Sequence, residues 1–183
     1  MKETTKTTLG LDISTSITGA TIITDGKIIA NFIWDTRNKK KFPSLYEKAA
    51  FIRRKLIYIE EEYNIDSIYI EQSLQSFRSG FSSAKTLSTL SRFNGIISWL
   101  CFSMFNIRPE MIAASSARKL AGVGIKRGDN SKQKVLQFIL DNYPEIVIEY
   151  TKHGNPKPGT LDMCDSIIIA SAGDKIVRKV ENT

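Results

Sequence analysis

At 183 residues, 42% hydrophobic and 25% charged, the chain has the size and composition of one globular domain with a full core, taken here as residues 1–183. A formal charge of +7 points to a polyanion as partner, while Cys101, Cys164 and the sole histidine, His153, give no support to a structural zinc or a disulfide framework. No signal-like apolar core follows MKETTKTT, and the longest apolar stretch, Gly95 to Ile107, is too short and too interrupted to span a bilayer, so a non-secreted, cytoplasmic protein is expected.

In chain order, Leu9 to Ser14, Thr18 to Thr24 and Lys27 to Trp34 are short runs rich in Ile and Thr, and Asp25-Gly26 between the last two is a strong hairpin signal. The chain therefore opens as an antiparallel meander. Leu45, Ala49, Ile52, Leu56, Ile59 and Tyr63 then recur at helical spacing just after Pro43-Ser44. A fourth strand, Ser67 to Glu71, follows the turn-like Asn64-Ile65-Asp66, and a long helix from about Ser82 to Phe105 is closed by Arg108-Pro109. A strand at Met111 to Ala114, a small helix at Ser115 to Leu120, a helix from Ser131 to Tyr143 capped by Asp129 or Asn130, and a last helix from Thr160 complete the pattern. This order predicts a mixed α/β fold in which helical crossovers add parallel strands to the meander.

The informative residues are acidic. Asp12 lies in an apolar strand, Glu71 ends another, and Asp162 and Asp165 stand at i and i+3, on one face of a helix. Parallel neighbours in the sheet would bring Asp12 beside Glu71, and docking of the last helix would complete a tetrad. Clustered carboxylates need compensating cations, and oxygen-only ligands favour Mg²⁺, with Mn²⁺ as substitute, over zinc. Two such ions would activate a water and stabilise the leaving oxygen in phosphodiester hydrolysis. Taken singly, each acid also has a plainer explanation: a strand-end turn, a capped edge residue, or a first-turn charge favoured by the helix dipole.

LGLDIS with Asp12, YIEQS with Glu71, SARKLAGVGIKRGDNSKQKV at Ser116 to Val135, and LDMCDSIIIA with Asp162 and Asp165 resemble, in order, the motifs of the RuvC family of Holliday-junction resolvases within the RNase H-like superfamily. The resemblance implies a five-stranded mixed sheet flanked by helices, a homodimer, and paired symmetric nicks across a four-way DNA junction that leave 5′-phosphate and 3′-hydroxyl ends. Asp12, Glu71, Asp162 and Asp165 fall on the family's metal-binding acids, and Lys119 and Lys132 near basic positions that it sets against the scissile strand. Such a lysine would stabilise developing phosphate charge, or else is simply a solvated helix residue.

One departure concerns the residue that opens the junction. Bacterial members can carry an aromatic wedge shortly after the Glu-Gln pair, where this chain has Ser73 and Leu74, with Phe77 and Phe81 further on. Leu74 as a wedge, Phe77 as a stacking residue, and core packing for either all stay open. Arg78, Arg92, Arg118, Lys126 and Arg127 bracket the expected active face as candidate phosphate contacts, whereas Arg37 to Lys41 and His153 read as solvated loop. The face from Ile96 to Phe105 reads as core, with a dimer seam as the lesser alternative. Gly122, Gly124 and Gly128 lack the GK[ST] of a phosphate loop.

Three other functions compete. The opening strands also resemble the phosphate-binding hairpin of sugar kinases and actin-like ATPases, which need two such domains. A junction-binding protein without cleavage would need only the basic charge. Another RNase H-like nuclease, cutting other branched DNA or RNA-DNA hybrids, would share the same acids. Recombination, repair, or the processing of nucleoid or viral DNA would all suit a resolvase.

Overall fold

The computed structural model describes residues 5–72 and 84–181, the side chain of Glu181 apart. Among these residues the elements run β1 (Thr7–Asp12), β2 (Ile17–Thr24), β3 (Lys27–Asp35), α1 (Leu45–Glu62), β4 (Ser67–Glu71), α2 (Ala84–Phe105), β5 (Glu110–Ile112), α3 (Ala114–Ala121), α4 (Ser131–Asn142) and α5 (Thr160–Glu181). The strands form one open, five-stranded sheet in the order β3-β2-β1-β4-β5. The meander is antiparallel, and β4 and β5 add in parallel. Asp25 and Gly26 both take positive φ, 49° and 79°, as the tight turn between twisted strands demands.

The period of two along the strands sorts the residues between two layers. Leu9, Leu11, Ala20, Ile22, Ile68 and Ile70 pack under α1 and α2 with Ile52, Leu56, Phe93 and Ile97. The opposite face belongs to α5. Bare backbone there lets the helix come close: a Cβ on Gly10 would stand 2.4 Å from the Ala170 nitrogen, and one on Gly19 would stand 2.1 Å from the Asp162 carbonyl oxygen. Ser166 donates its hydroxyl proton to Met163 O, so in its buried 2.7 Å bond with Thr21 the threonine is the donor. These contacts fix how far along the sheet the first turn of α5 sits.

Local chemistry explains the element ends. Ser44 and Glu47 form a capping box at α1, and the Asn130 side chain accepts from Lys132 N and Gln133 N at α4. Strand β1 stops at Asp12 and does not reach Ser14, because the Ser14 hydroxyl closes its own turn, donating to Ile17 O at 2.8 Å and accepting from Ile17 N. Strand β5 ends at Ile112, two residues before the sequence pattern predicts, because Ala113 is already the extended residue that opens α3. No helix among the described residues is long and apolar enough to cross a membrane.

Candidate active site

Register places the acids. Leu11 pairs with Ile70 across the parallel β1 and β4, so the next residues, Asp12 and Glu71, end neighbouring strands on the α5 face. Beside them is the first turn of α5, with Asp162 and Asp165. The four fields overlap. Burial raises Asp12 well above the ordinary carboxylate range, and the charges of Glu71, Asp165 and Asp162 push it further, with Lys132 in opposition. Burial and then Asp165 push Glu71 up to about 7, against Arg118 and Lys132. Asp162 and Asp165 are also raised, in each case by burial first. Strands and helix thus hold four acids in a place that resists their ionisation.

The cations around them separate into near and far. Lys132, in the first turn of α4, acts on all four carboxylates. Arg118 on α3 bonds Asp165 Oδ1 at 3.4 Å and is so tied to the acid cluster. Lys119, the next residue on α3, is exposed and does not appear among the charges that act on the acids. Lys126 and Arg127 are exposed in the loop before α4, where Asp129 Oδ2 accepts from Lys126 N. Arg92 lies on α2, lining a groove with Gly95, Ile96 and Trp99. Leu74, Phe77, Arg78 and Phe81 lie outside the described residues.

Two participants escaped the sequence reading. Asn94 is buried on α2 and donates from Nδ2 to Glu71 O at 3.0 Å, pinning the end of β4 that carries the acid. Arg37, assigned above to solvated loop, forms a fork onto Asp35 and adds its charge to the surroundings of Asp162. An Asp-x-Arg at the end of β3 was the available signal. The turn after Asp12 is held in turn by Thr36, whose hydroxyl bonds Thr15 O and Ser16 O, and by Lys48 Nζ on Thr15 O.

The donor set suits a hard divalent cation: oxygen ligands only, partly desolvated and mutually repelling. As the side chains stand, however, no three His, Cys, Asp or Glu among the described residues are grouped to hold an ion. Seating one requires the carboxylates to turn toward a common point.

No protein-family model and no curated protein matches this sequence. Solved structures do. RuvC of Thermus thermophilus in complex with a Holliday-junction substrate is 10% identical with a TM-score of 0.68, over 95% of this chain and 96% of that one. A further structure of T. thermophilus RuvC is 12% identical at 0.64, again over 95% and 96%. The yeast mitochondrial Holliday-junction resolvase Ydc2 is 15% identical at 0.62, over 96% of this chain and 80% of its own. Nearly the whole polypeptide is therefore arranged as in RuvC, and its fold is the RNase H-like fold of the RuvC-type resolvases.

Proposed function

We propose that this chain is a metal-dependent, structure-selective endodeoxyribonuclease that resolves four-way DNA junctions by paired symmetric nicks. The observation that carries the reading is the set of four carboxylates drawn from β1, β4 and α5, each raised by burial and set beside the others, in a chain of net charge +7. Proteins of the same fold include a RuvC bound to a Holliday-junction substrate and a mitochondrial Holliday-junction resolvase.

Asp12, Glu71, Asp162 and Asp165 would hold two Mg²⁺ ions, which when bound supply an activated water and stabilise charge on the leaving oxygen. Lys132, at the start of α4 and acting on all four acids, offers a proton donor to a phosphate oxygen as negative charge grows there. Arg118 neutralises Asp165 in the present arrangement, and once that carboxylate is otherwise compensated its guanidinium is free for the backbone of the substrate. Asn94 holds Glu71 in register throughout. Symmetric nicking requires two active sites, and α2 offers a surface for a second copy: Trp99 is 64% and Phe102 49% exposed, beside an apolar groove of about 460 Å³.

The test is cleavage of a mobile four-way junction, a duplex, a flap and an RNA-DNA hybrid by the purified protein with Mg²⁺. Junction cutting is expected to dominate, with Asp12→Asn and Glu71→Gln abolishing it while junction binding persists. Preferred cutting of the hybrid, or unchanged turnover in either variant, refutes the assignment.

A further inference from the structure

On the other face of the sheet, between β3 and α1, lies a groove of about 660 Å³ that combines rings and cations. Its wall is Phe32, Phe51 and Tyr58, with Phe32 stacked on the buried Trp34 at 6.3 Å and edge-on to Tyr58 at 6.2 Å. Around Phe51 stand three cations: Lys55 Nζ at 5.5 Å, Arg54 Cζ at 5.9 Å and Lys41 Nζ at 6.0 Å from the ring centroid.

Two facts make this more than a solvated helix face. Helix α1 is rich in glutamate, yet Arg54 and Lys55 have Ala50, Phe51, Ile52, Ile57, Tyr58 and Ile59 at their i±3 and i±4 positions and so no acid in reach along the helix. None of Lys41, Arg54 and Lys55 is paired with a carboxylate among the described residues. Three like charges gathered on one ring are only partly offset by its quadrupole, and a polyanion would relieve them.

The groove also continues toward the sheet edge. Lys41 lines both it and a second hollow, of about 540 Å³, shared with Asp35, Arg37 and Asn38. Arg37 there contributes its charge to Asp162. Lys41 therefore continues the aromatic groove toward the sheet edge at the β3–α1 loop, where Arg37 is paired with Asp35. Stacking rings beside backbone-tracking cations form a binding surface for unpaired nucleotides.

We infer that the β3–α1 groove binds a single-stranded stretch of nucleic acid, with phosphates on Lys41, Arg54 and Lys55 and a base against Tyr58 and Phe51. The inference rests on the nucleic-acid reading of the protein but not on cleavage. The experiment titrates fluorescein-labelled oligothymidylate with the full chain in EDTA over a range of salt. Arg54→Gln/Lys55→Gln is expected to reduce the slope of log K against log salt by about 1.4, two contacts at about 0.7 each on a single strand. Tyr58→Ala is expected to weaken binding at least about fivefold with the slope unchanged. Arg53→Gln, on α1 but outside the groove, controls for diffuse charge. Wild-type slope in the double variant, an equal fall in the control, or unaltered affinity in Tyr58→Ala overturns the inference. Cleavage of junctions by a wild-type protein whose groove variants bind normally would sink the groove alone, whereas normal groove behaviour without any cleavage would sink only the nuclease.

Discussion

Removing the charge at Glu71 should stabilise the ion-free protein, and only above a particular pH. Burial and Asp165 push this carboxyl from 4.5 up to about 7. Because the folded value is raised, the folded state holds the proton more tightly than the unfolded chain, so the contribution is fully present below about pH 4.5 and is lost as pH climbs through about 7. At about 1.4 kcal/mol per pH unit the displacement is worth about 3 kcal/mol, and Asp12, Asp162 and Asp165 act in the same direction. Asp35 and Glu47 have the opposite sign, their folded values being lowered from 3.8 and 4.5, so their stabilisation fades only at pH below those values. Urea unfolding in EDTA at about pH 5 and about pH 8 isolates the acid cluster. Wild type should be less stable at the higher pH, and Glu71→Gln should recover up to about 3 kcal/mol there, roughly 6–12 °C in Tm, with little change at the lower pH. A wild-type stability that is level or rises across this interval, or a variant that shifts both conditions equally, refutes the reasoning.

Three further outcomes follow from the same contacts. Mg²⁺ should stabilise wild type more at about pH 8 than at about pH 5, by about 2.7 kcal/mol at a hundredfold excess over Kd, and much less in Glu71→Gln; equal stabilisation of both proteins in thermal melts would count against these ligands. Gly19→Ala should destabilise by about 3 kcal/mol and suppress junction cleavage, since the new methyl would meet the Asp162 carbonyl oxygen at 2.1 Å and displace the turn carrying two acids; wild-type stability in urea unfolding would contradict the packing. Cys101 and Cys164, whose thiols burial pushes up to about 12, should resist alkylation in the native state at neutral pH and react on unfolding, as followed by mass spectrometry; rapid native labelling would contradict their burial.

What the sequence disclosed depended on whether the signal was local. The Asp25-Gly26 turn and the Ala49, Ile52, Leu56, Ile59 stripe follow from backbone geometry and period, and both stand in the structure. Asp12 and Glu71 meet because the helical crossover through α1 lays β4 parallel to β1. Strand ends were less legible, since at Ser14 a side chain competes with the ladder for the backbone. The basic residues were least so. Arg118 and Lys119 differ by one step of about 100° around α3, and burial of Ala117 and Ala121 decides that the arginine turns inward while the lysine faces water. The Asp-x-Arg at Asp35 and Arg37 signals their pairing, but the charge of Arg37 on Asp162 and the bond from Asn94 to Glu71 depend on how separate elements dock.

The acid cluster and the β3–α1 groove carry local charges that are unbalanced in opposite senses, and this arrangement orders a polyanion in space. Acids repel phosphate, so a substrate approaching the acid cluster meets Asp12, Glu71, Asp162 and Asp165, offset among the described residues by Lys132, Arg118 and Arg37. The groove, where Lys41, Arg54 and Lys55 have no carboxylate partner among the described residues, attracts the same substrate irrespective of any ion at the acids. Affinity is then expected to originate in the groove and reactivity at the carboxylates. That separation is the physical reason an amide at Asp12 should abolish cutting while leaving the complex intact: it removes one ligand from a repulsive site and takes nothing from the surface that holds the strand.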